Sequence, residues 1–187
     1  NRARCADQHL LRLAYATQEA ISTGRMGKAE RLLSALQTSY PDSVWTYELY
    51  DMYLSRRGNK FEKADLGQGA RRDEKIRNFE KLLALNPHSE RLYFQADFPD
   101  IRYKLAVEYA KACFDACTEH EARALQAACV CHADDWLARA RTKAQNRGAG
   151  VEFEESEHEA LVSICAEVIS DWLDGGRAAA NNVPDAR

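Results

Sequence analysis

The sequence has few residues that interrupt helices and no long apolar run. Its 187 residues include nine Gly and four Pro, whereas the helix-favouring residues Ala, Leu, Arg and Glu are abundant. No stretch of eighteen apolar residues occurs, so no membrane-spanning helix is predicted. Apolar residues at 45% and charged residues at 29% are ordinary for a globular chain that buries a core. We therefore expect one large helical domain or two small ones.

The chain also lacks the motifs by which common catalytic and cofactor sites are recognised. His120 and His158 are each followed by Glu, but neither has the second His four residues on that a zinc protease needs. The segment Gly24–Lys28 has the wrong spacing for a phosphate-binding loop and is followed by Ala29 instead of Ser or Thr. No serine nucleophile elbow is present. We predict no enzymatic activity, no cofactor and no small-molecule substrate.

The six cysteines do not have the spacing of a metal site. They are Cys5, Cys113, Cys117, Cys129, Cys131 and Cys165. Cys113 and Cys117 with Cys129, Cys131 and His132 come nearest to a zinc set. Residues two apart on a helix, however, point about 200° apart, so Cys129 and Cys131 cannot both face one ion. We predict no metal and reduced, largely buried thiols, with a structural zinc or disulfide at this cluster as the alternative.

The first forty residues have the apolar spacing of two helices. One stripe between Asp7 and Thr23 is formed by Leu10, Leu13, Ala14, Thr17 and Ile21. Gly24 and Gly27 interrupt it, and a second helix follows as far as Tyr40, before Pro41. Because the turn is short, we expect the two helices to pack antiparallel.

A third helix is predicted from Ser43, a favourable N-cap, to the stop signal Gly58-Asn59. It is apolar on two sides, with one stripe at Trp45, Leu49, Met52 and Tyr53 and another at Tyr47, Tyr50 and Leu54. A helix of this kind usually lies between neighbours. We expect Asp65–Arg72 to be a loop and Asp73 to cap a fourth helix that ends before Pro87.

The sequence after Pro87 predicts a short helix and then three longer ones. The short helix spans 89–98, and two long helices span about 100–118 and 119–145. A linker is expected over 147–155, and Ser156 to Glu159 has the form of a capping box that opens the last helix. That helix ends at Gly175-Gly176, and 177–187 is predicted to be a flexible tail.

Gly24–Pro41 resembles the second half of a tetratricopeptide repeat. Ala29 follows the glycine at five positions, a bulky residue stands at Leu33, and Pro41 closes the unit. Asn78–Pro87 resembles the same helix end. The resemblance implies antiparallel hairpins stacked side by side, with a concave groove that docks other protein chains.

The following helix, Val44–Tyr53, is similar to the first helix of a half-a-tetratricopeptide (HAT) repeat. Leu36 and Leu82 depart from the tetratricopeptide pattern, which usually has alanine at this position. The likeness covers about 7–87 and does not extend to 99–174. Similarity to HAT proteins implies a subunit of a larger complex, with RNA processing as one setting.

Charge is unevenly distributed along the chain. The segment 56–77 holds eight basic and four acidic residues, whereas 148–174 holds eight acidic residues and no Lys or Arg. Cations near aromatic rings can bind single-stranded nucleic acid through phosphates and base stacking. The candidate partner-binding residues are Tyr47, Tyr50, Arg56, Arg57, Lys60, Arg71 and Arg72.

We therefore predict an all-α protein in which antiparallel hairpins stack as a short, tetratricopeptide-like α-solenoid, closed by longer C-terminal helices. Repeat-like hairpins are expected in 1–98, capping helices in 99–176 and a flexible tail in 177–187. The predicted function is a non-enzymatic scaffold or adaptor that binds protein partners. The alternative is an RNA-binding component that uses the basic segment 56–77. An intracellular location is favoured over a secreted one.

Overall fold

The computed structural model describes residues 2–60, 68–87, 94, 100–148 and 150–174, and these residues form seven α-helices and no strand. The helices are α1 (Arg2–Ser22), α2 (Met26–Ser39), α3 (Val44–Lys60), α4 (Gln68–Leu85), α5 (Ile101–Phe114), α6 (Glu119–Arg147) and α7 (Glu152–Leu173). The predicted all-α class is confirmed. Within the described ranges, no helix is both long and apolar enough to cross a membrane.

The chain divides into two compact units, Asn1–Ile101 (unit 1) and Arg102–Arg187 (unit 2). In unit 1, α1 and α2 form the first helical hairpin. Gly24 turns the chain between them with a φ of 72°, a conformation that glycine adopts without steric cost. At the other end, His9 Nδ1 of α1 lies 2.8 Å from the hydroxyl of Tyr40, which directly follows α2. The two helices therefore run antiparallel, as predicted.

The second hairpin consists of α3 and α4. Tyr50 donates its hydroxyl to Glu74, and Asn78 Nδ2 donates to the Tyr47 carbonyl at 3.0 Å. The partner of a later α3 residue is thus an earlier α4 residue, which makes this pair antiparallel too. α3 also contacts α1 and α2. The shared core contains Ala14, Ala20, Ile21, Ala29, Leu33, Leu36, Leu49, Tyr53 and Leu54.

Unit 2 is built from α5, α6 and α7. Thr118 caps α6 by accepting a hydrogen bond from the Glu121 N–H at 3.1 Å, and Gly148 ends α6 with a φ of 63°. The core that α5, α6 and α7 share includes Ala106, Ala110, Cys129, Ala133, Leu161 and Cys165. All of these except Leu161 are small residues, which allow the helices to approach one another closely.

Two predicted helix starts are wrong. α4 begins at Gln68, so residues 68–72 are not a loop and Asp73 lies inside the helix. Gln, Ala and Arg are good helix formers, and one glycine costs only about 1 kcal/mol. α7 begins at Glu152 and not at Ser156, because acidic side chains in its first turn interact favourably with the positive end of the helix dipole. At its other end, α3 continues past the expected stop at Gly58-Asn59 to Lys60.

Two expected segments fall outside the described residues. The short helix at 89–98 does so except for Phe94, and the tail at 177–187 does so entirely. The predicted domain limits at 98 and 176 stay predictions.

We expect Leu49→Ala to lower the free energy of unfolding of unit 1 by about 2–5 kcal/mol, because it leaves a cavity in a fully buried part of α3. Urea unfolding followed by circular dichroism measures this change. Leu173→Ala is the control: Leu173 is 64% exposed, so its loss should change stability by less than about 0.5 kcal/mol. Equal effects of the two substitutions would contradict the burial of α3.

Candidate functional site

α3 buries two carboxylates whose burial was not predicted from the sequence. Glu48 and Asp51 are 0% and 1% exposed, on the same helix as the buried Leu49. Burying a charged group is costly unless a hydrogen bond compensates for it. For Glu48 one donor is the backbone N–H of Phe94. The signal was available, because a helix that is apolar on two sides leaves little solvent-facing surface for its charges.

The Phe94 side chain lies in an aromatic cleft between α1 and α3. Its ring centroid is 5.9 Å from that of Tyr15 and 5.8 Å from that of Trp45, with interplanar angles of 83° and 74°. Both are edge-to-face contacts, the favourable arrangement for aromatic rings. We define the aromatic cleft as Tyr15, Trp45 and Glu48, with Phe94 as its occupant.

The cleft holds one residue by two different interactions. Aromatic rings contact the Phe94 side chain, and the Glu48 carboxylate accepts a hydrogen bond from its main chain. Tyr15 remains 48% exposed, so one wall of the cleft faces solvent. No sequence pattern predicted this site, because Phe94 is far along the chain from both walls.

The two tyrosines of the predicted partner-binding set both make contacts with α4. Tyr47 donates its hydroxyl to the Pro41 carbonyl at 2.7 Å, and Lys81 Nζ lies 5.9 Å from the centre of its ring. Tyr50 donates to Glu74, and its ring stacks on Tyr53 at 6.2 Å. Both rings are half-buried. The contacts with Lys81 and Glu74 join α3 to α4.

The arginines of that set lie on helices. Arg56 is exposed and donates to the Ser22 carbonyl at 2.9 Å. The Arg57 guanidinium lies 5.9 Å from the centre of the Tyr53 ring, a cation–π contact. Arg72 is half-buried on α4. The side chains of two further members, Lys60 and Arg71, are outside the described part of the chain. Partner binding by this set stays a prediction.

Burial and neighbouring charges shift the pKa values of two tyrosines in the second hairpin. Burial raises the pKa of Tyr50 well above its usual value of 10, and the hydrogen bond to Glu74 adds to this. Burial also raises the pKa of Tyr53, although the positive charge of Arg57 opposes the shift. The phenol of Tyr50 therefore stays protonated and acts as a donor throughout the neutral range.

The structure separates the residues of the zinc alternative. Cys113 and Cys129 are buried, whereas Cys117 and Cys131 are exposed, so the two members of each pair face different surroundings. His132 stacks on Tyr109 with ring centres 5.7 Å apart. Among the described residues, no group of three His, Cys, Asp or Glu side chains is arranged to hold a metal ion.

A polar groove of about 570 Å³ lies between α6 and α7. His158 Nε2 is 2.6 Å from Asp134 Oδ1, and Arg141 is 2.8 Å from Glu155 Oε1. These pairs join the two helices across the groove. The residues that line the groove are Asp134, Leu137, Ala138, Arg141, Glu155, His158 and Glu159, and they include no hydroxyl or thiol nucleophile.

No family model matches the chain, and no match is found among curated proteins or solved structures.

We expect Tyr50→Phe to lower the free energy of unfolding by about 1 kcal/mol near pH 7, because Glu74 loses a hydrogen-bond donor. The difference should shrink as pH rises above about 10, since the unfolded wild-type chain ionises this phenol there while the folded state, with its raised pKa, resists ionisation. Urea unfolding of both proteins between pH 7 and 11 measures the difference. A constant difference over that range would contradict the raised pKa.

Proposed function

We propose that unit 1 is a non-enzymatic protein-interaction module whose aromatic cleft binds an extended segment of a partner protein. The observation that carries this proposal is the way Phe94 is held. Tyr15 and Trp45 contact its ring, and the Glu48 carboxylate accepts a hydrogen bond from its backbone N–H. An aromatic anchor combined with a main-chain hydrogen bond is a common way of binding a peptide.

The helix packing of unit 1 supports a tetratricopeptide-like arrangement in this proposal. α1 packs on α2, α3 packs on α4, and α3 contacts both helices of the first hairpin. Side-by-side hairpins of this kind place their first helices, here α1 and α3, next to each other. The walls of the aromatic cleft come from these two helices.

Phe94 itself is a competitor of the partner in this proposal. An aromatic residue of the partner takes the position of Phe94 and donates its own backbone N–H to Glu48. The apparent affinity for the partner is then lowered by the fraction of molecules in which Phe94 occupies the cleft. Tyr15, half-exposed in the present arrangement, supplies the wall from which a partner enters.

A second candidate function is single-stranded RNA binding, and one observation favours it. The antiparallel pairing of α3 with α4 places the end of α3 near the start of α4, as the contact between Tyr50 and Glu74 shows. Arg56 and Arg57 are therefore on the same end of the hairpin as Arg72 and the rest of the first half of α4. A cluster of cations can bind phosphates without base specificity.

Selection from a displayed random-peptide library against the immobilised full chain tests the proposed cleft. We expect the enriched peptides to share an aromatic residue. Their affinity, measured by fluorescence anisotropy, should fall roughly 2- to 10-fold in Tyr15→Ala, the range expected for losing one aromatic pair. Phe94→Ala should raise the affinity, because it empties the cleft.

Phe114→Ala is the matched control, because Phe114 is 50% exposed against 48% for Tyr15 and belongs to unit 2. It should bind the peptides as the wild type does. Enriched peptides without an aromatic residue, or equal affinities for the Tyr15→Ala and Phe114→Ala variants, would overturn the proposal.

Titration with a fluorescent oligouridine at about 50 mM and 200 mM salt distinguishes the RNA alternative. The peptide-binding proposal expects no binding that depends on salt. If the cationic end of the hairpin binds RNA, log K falls as log salt rises. Each phosphate contact that is removed makes this negative slope shallower by about 0.7. Arg56→Ala should then reduce the slope, while Arg123→Ala, on α6 of unit 2, should not. Salt-dependent binding whose slope becomes shallower in Arg56→Ala but not in Arg123→Ala would replace the proposed function with RNA binding.

A further inference from the structure

Three thiols, one from each helix of unit 2, lie in its interior. Cys113 of α5, Cys129 of α6 and Cys165 of α7 are each 0% exposed, and none of them forms a disulfide. The exposed Cys117 and Cys131 are not part of this cluster. They come from three different helices, so only the tertiary packing places them in one interior.

The pairing of α6 with α7 places two of these thiols opposite each other. The helices run antiparallel, since Arg141 contacts Glu155 while the earlier Asp134 contacts the later His158. Continuing that register toward the start of α6 aligns Cys129 with Cys165. The two residues belong to the same buried core cluster.

We propose that Cys129 and Cys165 form a disulfide site that joins α6 to α7 when the chain folds in the presence of a small-molecule disulfide oxidant. The site is independent of the aromatic cleft in unit 1. Cys113 is the third buried thiol, and its sulfur lies 3.4 Å from the Ala122 carbonyl oxygen. We expect Cys113 to remain a free thiol, because the register of α6 and α7 pairs Cys165 with Cys129.

The chemistry is two successive thiol–disulfide exchanges. One of the two cysteines loses its proton to water and, as the thiolate, attacks one sulfur of glutathione disulfide, which releases one glutathione thiolate. The other cysteine then loses its proton to water and attacks the protein sulfur of the mixed disulfide, which releases the second glutathione thiolate. Two protein thiols are oxidised to one disulfide, and one glutathione disulfide is reduced to two thiols.

Exchange occurs while α6 and α7 are still apart. Both thiols are closed to solvent in the folded chain, so glutathione disulfide reaches them only before α7 has packed on α6. Because the thiolate is the nucleophile and the exchange is reversible, cross-links can rearrange until the helices pack. The register of α6 and α7 then retains the pair that it places together.

Refolding of the full chain from urea with mixed reduced and oxidised glutathione tests the proposal. After free thiols are blocked, peptide mapping by mass spectrometry without reductant identifies the cross-links. We expect the Cys129–Cys165 peptide pair to predominate, with Cys113 recovered as a blocked thiol. The refolded oxidised chain should unfold at a temperature about 10 °C higher than the reduced chain, the order expected from one disulfide in a small domain.

Cys129→Ala and Cys131→Ala are matched variants, since the two residues are two positions apart on α6. Cys129→Ala should abolish the difference in unfolding temperature between oxidised and reduced chains, and Cys131→Ala should retain it. A predominant cross-link between any other pair, or no cross-link after refolding, overturns the proposal. Because mapping of the wild-type chain needs no substitution, a variant that fails to fold does not affect this outcome. The cross-link prediction also does not depend on peptide binding, so a failure of the peptide experiment leaves it unchanged.

Discussion

Unit 1 depends on the burial of α3 against three other helices. α3 contacts α1, α2 and α4, and its Leu49, Tyr53 and Leu54 belong to the shared core. The same burial encloses Glu48, whose carboxylate needs a donor that the surrounding apolar side chains cannot supply. The Phe94 N–H is one such donor. The burial of α3 therefore both builds the core and places a buried carboxylate in the aromatic cleft.

Unit 2 is stabilised in a different way. Its helices meet through small side chains such as Ala106, Ala110 and Ala133, which allow close packing but bury little apolar surface for each residue. Ion pairs between α6 and α7 at the surface add little stability of their own. Cysteine suits such an interface, because its side chain is small and apolar. A cross-link between α6 and α7 would add to the packing of these small side chains.

The sequence predicted what depends on local periodicity and failed where distant residues decide. The stripe that includes Ala14 and Ile21 predicted the buried face of α1 correctly. The starts of α4 and α7 were misplaced, because Gly69 and the acidic run from Glu152 read as interruptions although each fits a helix. The aromatic cleft was missed altogether, since no local pattern joins Tyr15 or Trp45 to Phe94. The stacking of the hairpins and the binding residues stay predictions.

The chemistry of the cleft itself argues for a peptide over a nucleic acid. Its polar group, Glu48, is a carboxylate, which accepts hydrogen bonds and carries negative charge when ionised. A peptide offers backbone N–H donors at every residue except proline, so it satisfies this acceptor wherever its aromatic residue is placed. A nucleic-acid strand brings phosphates, whose negative charge is repelled by the same carboxylate in a poorly solvated site. Stacking on Tyr15 and Trp45 alone does not distinguish the two ligands, because bases and aromatic side chains both stack. The negative charge of the buried carboxylate does distinguish them, and it disfavours the ligand that carries phosphates.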